Sequence, residues 1–322
     1  MKNQRILLSK ALVIGILIFF IVTSFIPFVV PIVAEDQYFT DYRPSYVRHI
    51  NITFESGKYT LYGEIYYPAN KTEIYPGIVF CEGTGGYITP YRWIPKALAD
   101  EGYVVLAFDF PGQGKSEGFF PIPKFSIRFF LGIYLRFIAP IEILFHKYNG
   151  ELIIATSDAL TYLLDESPVK NMINKTSIGL IGHSLGGGIV TETAAQDKRV
   201  KAVVALSQGN PSIIDEIDVP IQFQGGDFDI LTGSIPNLLS CYKNANTPKE
   251  IITISGGTHV GFSSALGPPW QKDICLRYSI GFFDYFLKNK PDALETITTG
   301  TPHLSKIIKS RYNFGEGNRF LT

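Results

Sequence analysis

Ser177-Ile178-Gly179-Leu180-Ile181-Gly182-His183-Ser184-Leu185-Gly186-Gly187-Gly188 is the stretch that decides how the chain folds. Its apolar positions, Ile178, Leu180 and Ile181, have the character of the end of a buried parallel strand. Residues 189–196 carry the Ala- and Thr-containing pattern of a helix packed close to that strand. Between them Gly182-x-Ser184-x-Gly186 must turn sharply, and glycine tolerates the crowding and unusual φ/ψ of such a turn. The Ser184 hydroxyl is then expected at the tip, above the sheet. The Leu185 backbone N–H is expected at a helix N-terminus, where orphan donors and the dipole favour an oxyanion. By itself the pentapeptide turns up in any Gly- and Ser-rich loop. Flanked by a strand and a helix, it marks Ser184 as a nucleophile.

Outward from this turn the chain alternates strand and helix patterns. Residues 47–54 and 59–67 alternate apolar and polar side chains around Ser56-Gly57, which predicts an antiparallel hairpin. A buried strand over 76–81 runs into Glu82-Gly83-Thr84-Gly85-Gly86, and a helix over 91–101 ends at Gly102. The strand 103–108 leads to Asp109-Phe110-Pro111-Gly112-Gln113-Gly114, where Asp109, Gly112 and Gly114 read as turn residues. A helix over 150–165 precedes the strand that ends at Ser184. Strands over 200–206, 219–224 and 250–255 and helices over 230–245 and 271–289 follow. This alternation predicts a parallel α/β sheet within a domain spanning 37–290. Residues 291–322 have weak periodicity and are expected to form a peripheral C-terminal tail.

The 322 residues hold 29 basic and 29 acidic side chains, so no strong field points to nucleic acid. Hydrophobic content of 46% with 24 Phe is high, and two stretches concentrate it. Residues 1–10 carry Lys2, Arg5 and Lys10 with no acid, and residues 11–34 carry no charge. As a helix the latter spans ~36 Å, against a hydrocarbon core of ~30 Å. A cleaved signal has an apolar core of only ~7–15 residues, although Ile32-Val33-Ala34 also fits a cleavage site. Residues 1–36 are therefore expected to form a signal-anchor transmembrane helix. Positive charge before the span and Glu35-Asp36 after it predict an inside amino end and an extracytoplasmic remainder. Sequons at Asn51, Asn70 and Asn174 agree with that placement.

The second stretch, 119–147, is rich in Phe, Ile and Leu but is broken by Lys124, Arg128, Arg136, Glu142 and prolines 121, 123 and 140. It reads as a lid-like insertion, either a buried cap or an amphipathic lid that touches the bilayer through residues 119–146. Cys81, Cys241 and Cys275 lack metal-ligand spacing. A Cys241–Cys275 disulfide is one arrangement; buried free thiols are the expected one.

Five motifs in order carry a resemblance: Glu82-Gly83-Thr84-Gly85-Gly86, Asp109-Phe110-Pro111-Gly112-Gln113-Gly114, Gly182-His183-Ser184-Leu185-Gly186, Gly226-Asp227-Phe228-Asp229 and Gly256-Gly257-Thr258-His259. With them, residues 47–290 resemble the α/β-hydrolase superfamily, most of all its dienelactone-hydrolase and serine-aminopeptidase-type esterase branches. The resemblance implies a triad in the order Ser…Asp/Glu…His. Among five histidines, His49 lies in an early strand, His146 in the lid-like segment and His303 beside Pro302. His183 is inside the turn, where packing is its expected role. His259 follows the last parallel strand in a Gly-rich loop and is the expected base.

For the acid, the family pattern of glycine followed three positions later by aspartate selects Asp229 from Gly226. Asp227 stands as the alternative, its other role being to cap the next helix or bond the loop backbone. The resemblance also implies a second oxyanion donor from the loop after 76–81, and position assigns it to the Thr84 backbone N–H. Many relatives carry His-Gly where this chain has Glu82-Gly83. Ser184 and Asp229 stand 229 − 184 = 45 positions apart, too few for a cap domain between them.

The expectation is a membrane-anchored serine hydrolase that cleaves a small-molecule or lipid-like carboxylic ester through an acyl-enzyme. A peptidase or thioesterase with the same triad, or a non-catalytic binding protein on this fold, are the alternatives. No metal or organic cofactor is implied.

Overall fold

Alternate residues of the central strands face opposite sides of one sheet, and both sides are apolar. In the computed structural model, which describes residues 46–70, 72–120, 140–230, 234–263 and 267–310, β3 (Tyr75–Cys81) sends Val79 and Cys81 to one core and Ile78 and Phe80 to the other. Strand β4 (Val104–Phe108) divides in the same way, Val104, Leu106 and Phe108 against Val105 and Ala107. Strands buried on both faces read as continuous apolar runs, and each face needs a layer of helices. The first core takes α2 (Pro140–Thr161), α3 (Leu185–Gln196) and α4 (Ser234–Asn244) through Leu152, Ile189 and Leu238. The second takes α1 (Trp93–Asp100) and α5 (Pro269–Leu287) through Ile94, Leu98, Tyr278 and Phe282.

The remaining strands are β1 (Val47–Ser56), β2 (Tyr59–Pro68), β5 (Ile173–His183), β6 (Val200–Leu206), β7 (Ile221–Gly226), β8 (Lys249–Ile254) and β9 (Leu304–Ser310). All nine form one sheet in the order β1-β2-β4-β3-β5-β6-β7-β8-β9. The six strands from β4 to β8 pair in parallel, while β1, β2 and β9 are antiparallel edge additions. The sheet is therefore mostly parallel and flanked by helices. Strand β5, the one that ends at the Gly-rich turn, lies at its centre. In a parallel sheet of this kind the loops beyond the carboxyl ends of the strands collect on one side.

Two expectations need correction. Residues after 290 are not a peripheral tail: α6 (Ala293–Thr298) buries Ile297 completely, and β9 adds to the edge of the sheet beside β8. The sequence signal is weak because β9 is an edge strand with two adjacent isoleucines, Ile307 and Ile308, which spoil its alternation. The helix expected over 150–165 starts ten residues earlier, at Pro140. Proline suits a first helical turn. A mid-helix glycine such as Gly150 costs ~1 kcal/mol, less than the ~1.5–3 kcal/mol that burying a single side chain such as Leu152 returns.

The three cysteines are free and buried, as expected. Cys241 lies in the first core and Cys275 in the second, so the sheet itself separates them. Burial pushes both thiols up to about 12.

Residues 45–121 and 142–322 make up the compact unit that holds the sheet. The segment 11–34 read as an anchor lies outside the described residues, as do positions 121–139 of the lid-like insertion. Among the described residues no helix is long and apolar enough to cross a membrane.

Candidate active site

The turn after β5 is forced by packing. A Cβ on Gly186 would lie 2.3 Å from the Cys81 carbonyl oxygen, and one on Gly182 would lie 2.3 Å from that of Gly186. No residue but glycine fits at either place, and β3 can then pass directly beneath the start of α3. Ser184 between them adopts φ 56° and ψ −119°, a conformation that L side chains rarely hold. Such a residue costs of order 1–3 kcal/mol. It is held by its N–H, which donates to the Leu206 carbonyl at 2.9 Å, and by the Gly186 N–H, which donates to Glu82 at 3.0 Å.

The strained turn aims Ser184 at His259. Ser184 Oγ and His259 Nε2 lie 2.9 Å apart, and His259 Nδ1 lies 2.7 Å from Asp229 Oδ2. With the carboxylate accepting from Nδ1–H, Nε2 is left to accept the serine proton. The site is sheltered: the Asp229 side chain is fully buried and that of His259 is 12% exposed. His259 opens a short turn, His259–Phe262, in which the Thr258 hydroxyl accepts from the Gly261 N–H. Buried Gln271 on α5 clamps the same residue, accepting from the Thr258 N–H at 3.1 Å and donating to its carbonyl at 2.9 Å.

Asp227 is placed elsewhere. Its carboxylate accepts from the Gly256 N–H at 2.7 Å, so it braces the loop that carries His259. The two loops meet closely, because a Cβ on Gly226 would lie 2.1 Å from the Gly257 carbonyl oxygen.

Leu185 opens α3, so its N–H has no intrahelical acceptor. The loop after β3 crosses Ser184 at Gly83, whose Cβ position lies 3.4 Å from Ser184 Cβ. Thr84, the next residue, is exposed at the turn closed by the Gly86 N–H and the Gly83 carbonyl. Glu82 points away from Ser184 into the protein. It is fully buried, and its Oε1 accepts from the Phe110 N–H at 3.0 Å. Burial first, and then neighbouring Asp109, push its carboxyl well above the usual range. Asp109 accepts from the N–H groups of Ile88 and Lys115, which makes its motif a turn former, as expected.

Two features escaped the sequence. His183 is more than packing: it is buried, its Nδ1 lies 2.9 Å from the Tyr91 hydroxyl, and its ring centroid is 4.7 Å from that of His259. The other is an apolar rim. Phe228 and Ile230, on either side of Asp229, are 68% and 79% exposed, and Tyr87 beyond the Thr84 turn is 47% exposed. The signal was the Phe228-Asp229-Ile230 alternation, an acid between two large apolar residues on a loop.

Two family models match the chain. One, described as alpha/beta hydrolase fold, covers residues 76–229, and one described as PET hydrolase-like covers residues 153–310. Strand order, elbow and these matches together support an α/β-hydrolase fold for the chain. More narrowly, it is 26% identical over 223 residues to a platelet-activating factor acetylhydrolase of Canis lupus familiaris, covering 61% of this chain and 50% of that protein. It is 22% identical over 229 residues to a bis(hydroxyethyl) terephthalate hydrolase of Streptomyces coelicolor, 70% and 62% of the two chains. It is also 25% identical over 201 residues to the cutinase est2 of Thermobifida alba, 61% and 56%. The chain thus spans about half to three fifths of the length of these relatives.

Proposed function

We propose that this protein is a serine hydrolase that cleaves a carboxylic ester through an acyl-enzyme. The observation that carries the reading is the unbroken chain Ser184 Oγ to His259 Nε2 at 2.9 Å and His259 Nδ1 to Asp229 Oδ2 at 2.7 Å. Ser184 attacks the ester carbonyl while His259 Nε2 takes its proton. Asp229 holds the imidazole in that tautomer and stabilises its charged form. The carbonyl oxygen gains negative charge and is received by the N–H groups of Leu185 and Thr84. His259 returns the proton to the departing alcohol, and water, activated by the same imidazole, then releases the acid.

The ester reading is supported by the names of the three relatives, each a hydrolase of an ester, among them an acetyl ester and a terephthalate ester. The exposed apolar side chains of Phe228, Ile230 and Tyr87 suit a substrate with an apolar acyl or alcohol group. Residues 11–34 act as the membrane anchor in this reading, and the catalytic domain faces the extracytoplasmic side. Residues 119–146 lie over the bilayer interface as a lid.

Turnover of p-nitrophenyl esters, aminoacyl amides and acyl thioesters by the full-length protein tests the chemistry. Esters are expected to be cleaved with the highest kcat/KM. Faster amide cleavage would replace the esterase reading with a peptidase. Alkaline extraction of membranes tests the anchor, and release of the full-length chain into the supernatant would overturn it.

A further inference from the structure

We propose that Tyr91 and His183 are positioning residues that tie the oxyanion loop to the loop carrying His259, with His183 held as the neutral tautomer bearing its proton on Nε2. The inference rests on the triad reading above and adds two residues to it. Tyr91 ends the short turn Thr89–Tyr91 just after the Thr84 loop and is buried. Its hydroxyl lies 2.9 Å from His183 Nδ1. A Cβ at position 83 would lie only 3.0 Å from the same oxygen, so the oxyanion loop packs directly on the phenol. A phenol has one proton to give. Nδ1 is the acceptor that the geometry offers it.

The opposite tautomer would aim Nδ1–H at the phenolic oxygen and leave two buried groups without a hydrogen bond, the phenol proton and the Nε2 lone pair, whereas the proposed one leaves only Nε2–H without a partner. Burial, and then the neighbouring His259, hold the His183 ring neutral. The rings of His183 and His259 pack at 4.7 Å and 45°, and Phe262 closes the other side at 5.5 Å. One line of contacts therefore runs from Gly83 through Tyr91 and His183 to His259. Gly83 precedes the oxyanion donor, and His259 is the base. Their separation is set by this pair.

The test uses full-length protein labelled with nitrogen-15 histidine. There are five histidines, so His183 is identified as the signal that survives single substitution of the other four. The expected spectrum shows an unprotonated Nδ1 and a protonated Nε2 at neutral pH. Tyr91→Phe should convert it to a tautomer mixture and lower kcat about five- to tenfold with KM little changed. A space-filling role would move neither. A proton on Nδ1 in the wild type, or an unchanged kcat in Tyr91→Phe, overturns the proposal. The spectrum needs no turnover and can be recorded on Ser184→Ala. Hydrolysis retained by that variant would sink the triad reading even where the tautomer is as expected.

Discussion

The loop after β5 and the loop after β7 each deliver one member of the proposed triad, and they are built in opposite ways. In the first, packing leaves no freedom: a Cβ on Gly182 or Gly186 would lie 2.3 Å from a backbone oxygen, Ser184 takes a positive φ, and every residue from Gly182 to Ser184 is buried. In the second some side chains are tied down and others are left free to project. Gly226 touches Gly257, Asp227 braces Gly256 and Asp229 holds His259, while Phe228 and Ile230 project outward. The elbow is a problem of backbone geometry, solved once by glycine. The acid loop ties down Gly226, Asp227 and Asp229 and leaves the side chains of Phe228 and Ile230 to meet whatever the protein binds.

The sharpest way to break this comparison is within the acid loop. Asp229→Asn should lower kcat on the order of 10³- to 10⁴-fold, because the amide favours the wrong imidazole tautomer. Asp227→Asn should cost less than about tenfold, since it only loosens the Gly256 turn. Equal losses measured in steady-state ester hydrolysis would mean that the two carboxylates share the role.

That pair of aspartates also shows how far the sequence could be read. The strand and helix order and the elbow were legible because glycine spacing and continuous apolar runs are local signals. Ser184 and His259 followed from chain order. Asp227 and Asp229 stand two residues apart at the end of one strand, and only the third dimension separates the carboxylate that reaches His259 from the one that turns back to Gly256. The partnership of His183 was hidden for the same reason, since Tyr91 and His259 lie 92 and 76 positions away. The edge strand β9 was hidden because its alternation is poor.

On the elbow side, Gly186→Ala places a methyl group against the carbonyls of Cys81 and Glu82. Overpacking of this kind costs about 3 kcal/mol and should displace Ser184 as well, lowering kcat/KM by on the order of a hundredfold. A variant with wild-type Tm and activity would show that the elbow is softer than its distances imply. In contrast, Phe228→Ser with Ile230→Ser should leave Tm and short-ester turnover nearly unchanged. KM for long-chain esters should rise about tenfold, the worth of losing part of two apolar contacts. If both substrates respond alike, the rim does not contact substrate.

The smallest effect concerns Glu82, whose carbonyl holds the Gly186 N–H and whose carboxyl is pushed upward by burial and Asp109. A carboxyl with a raised folded-state pKa contributes stability that is full below the unfolded value, near ~4.3, and lost as pH rises. Glu82→Gln keeps the acceptor for the Phe110 N–H without that loss. Its Tm should exceed the wild-type value at pH 8, with the advantage shrinking toward pH 4.5. An advantage that grows as pH falls would reverse the assignment.

The central claim, that Ser184 is an activated nucleophile, is met most directly by a fluorophosphonate probe on the full-length protein, with the modified residue mapped by mass spectrometry. Labelling is expected at Ser184 alone, and His259→Ala should suppress it because the serine proton then has no acceptor. An unlabelled Ser184, or labelling that survives His259→Ala undiminished, would contradict the account.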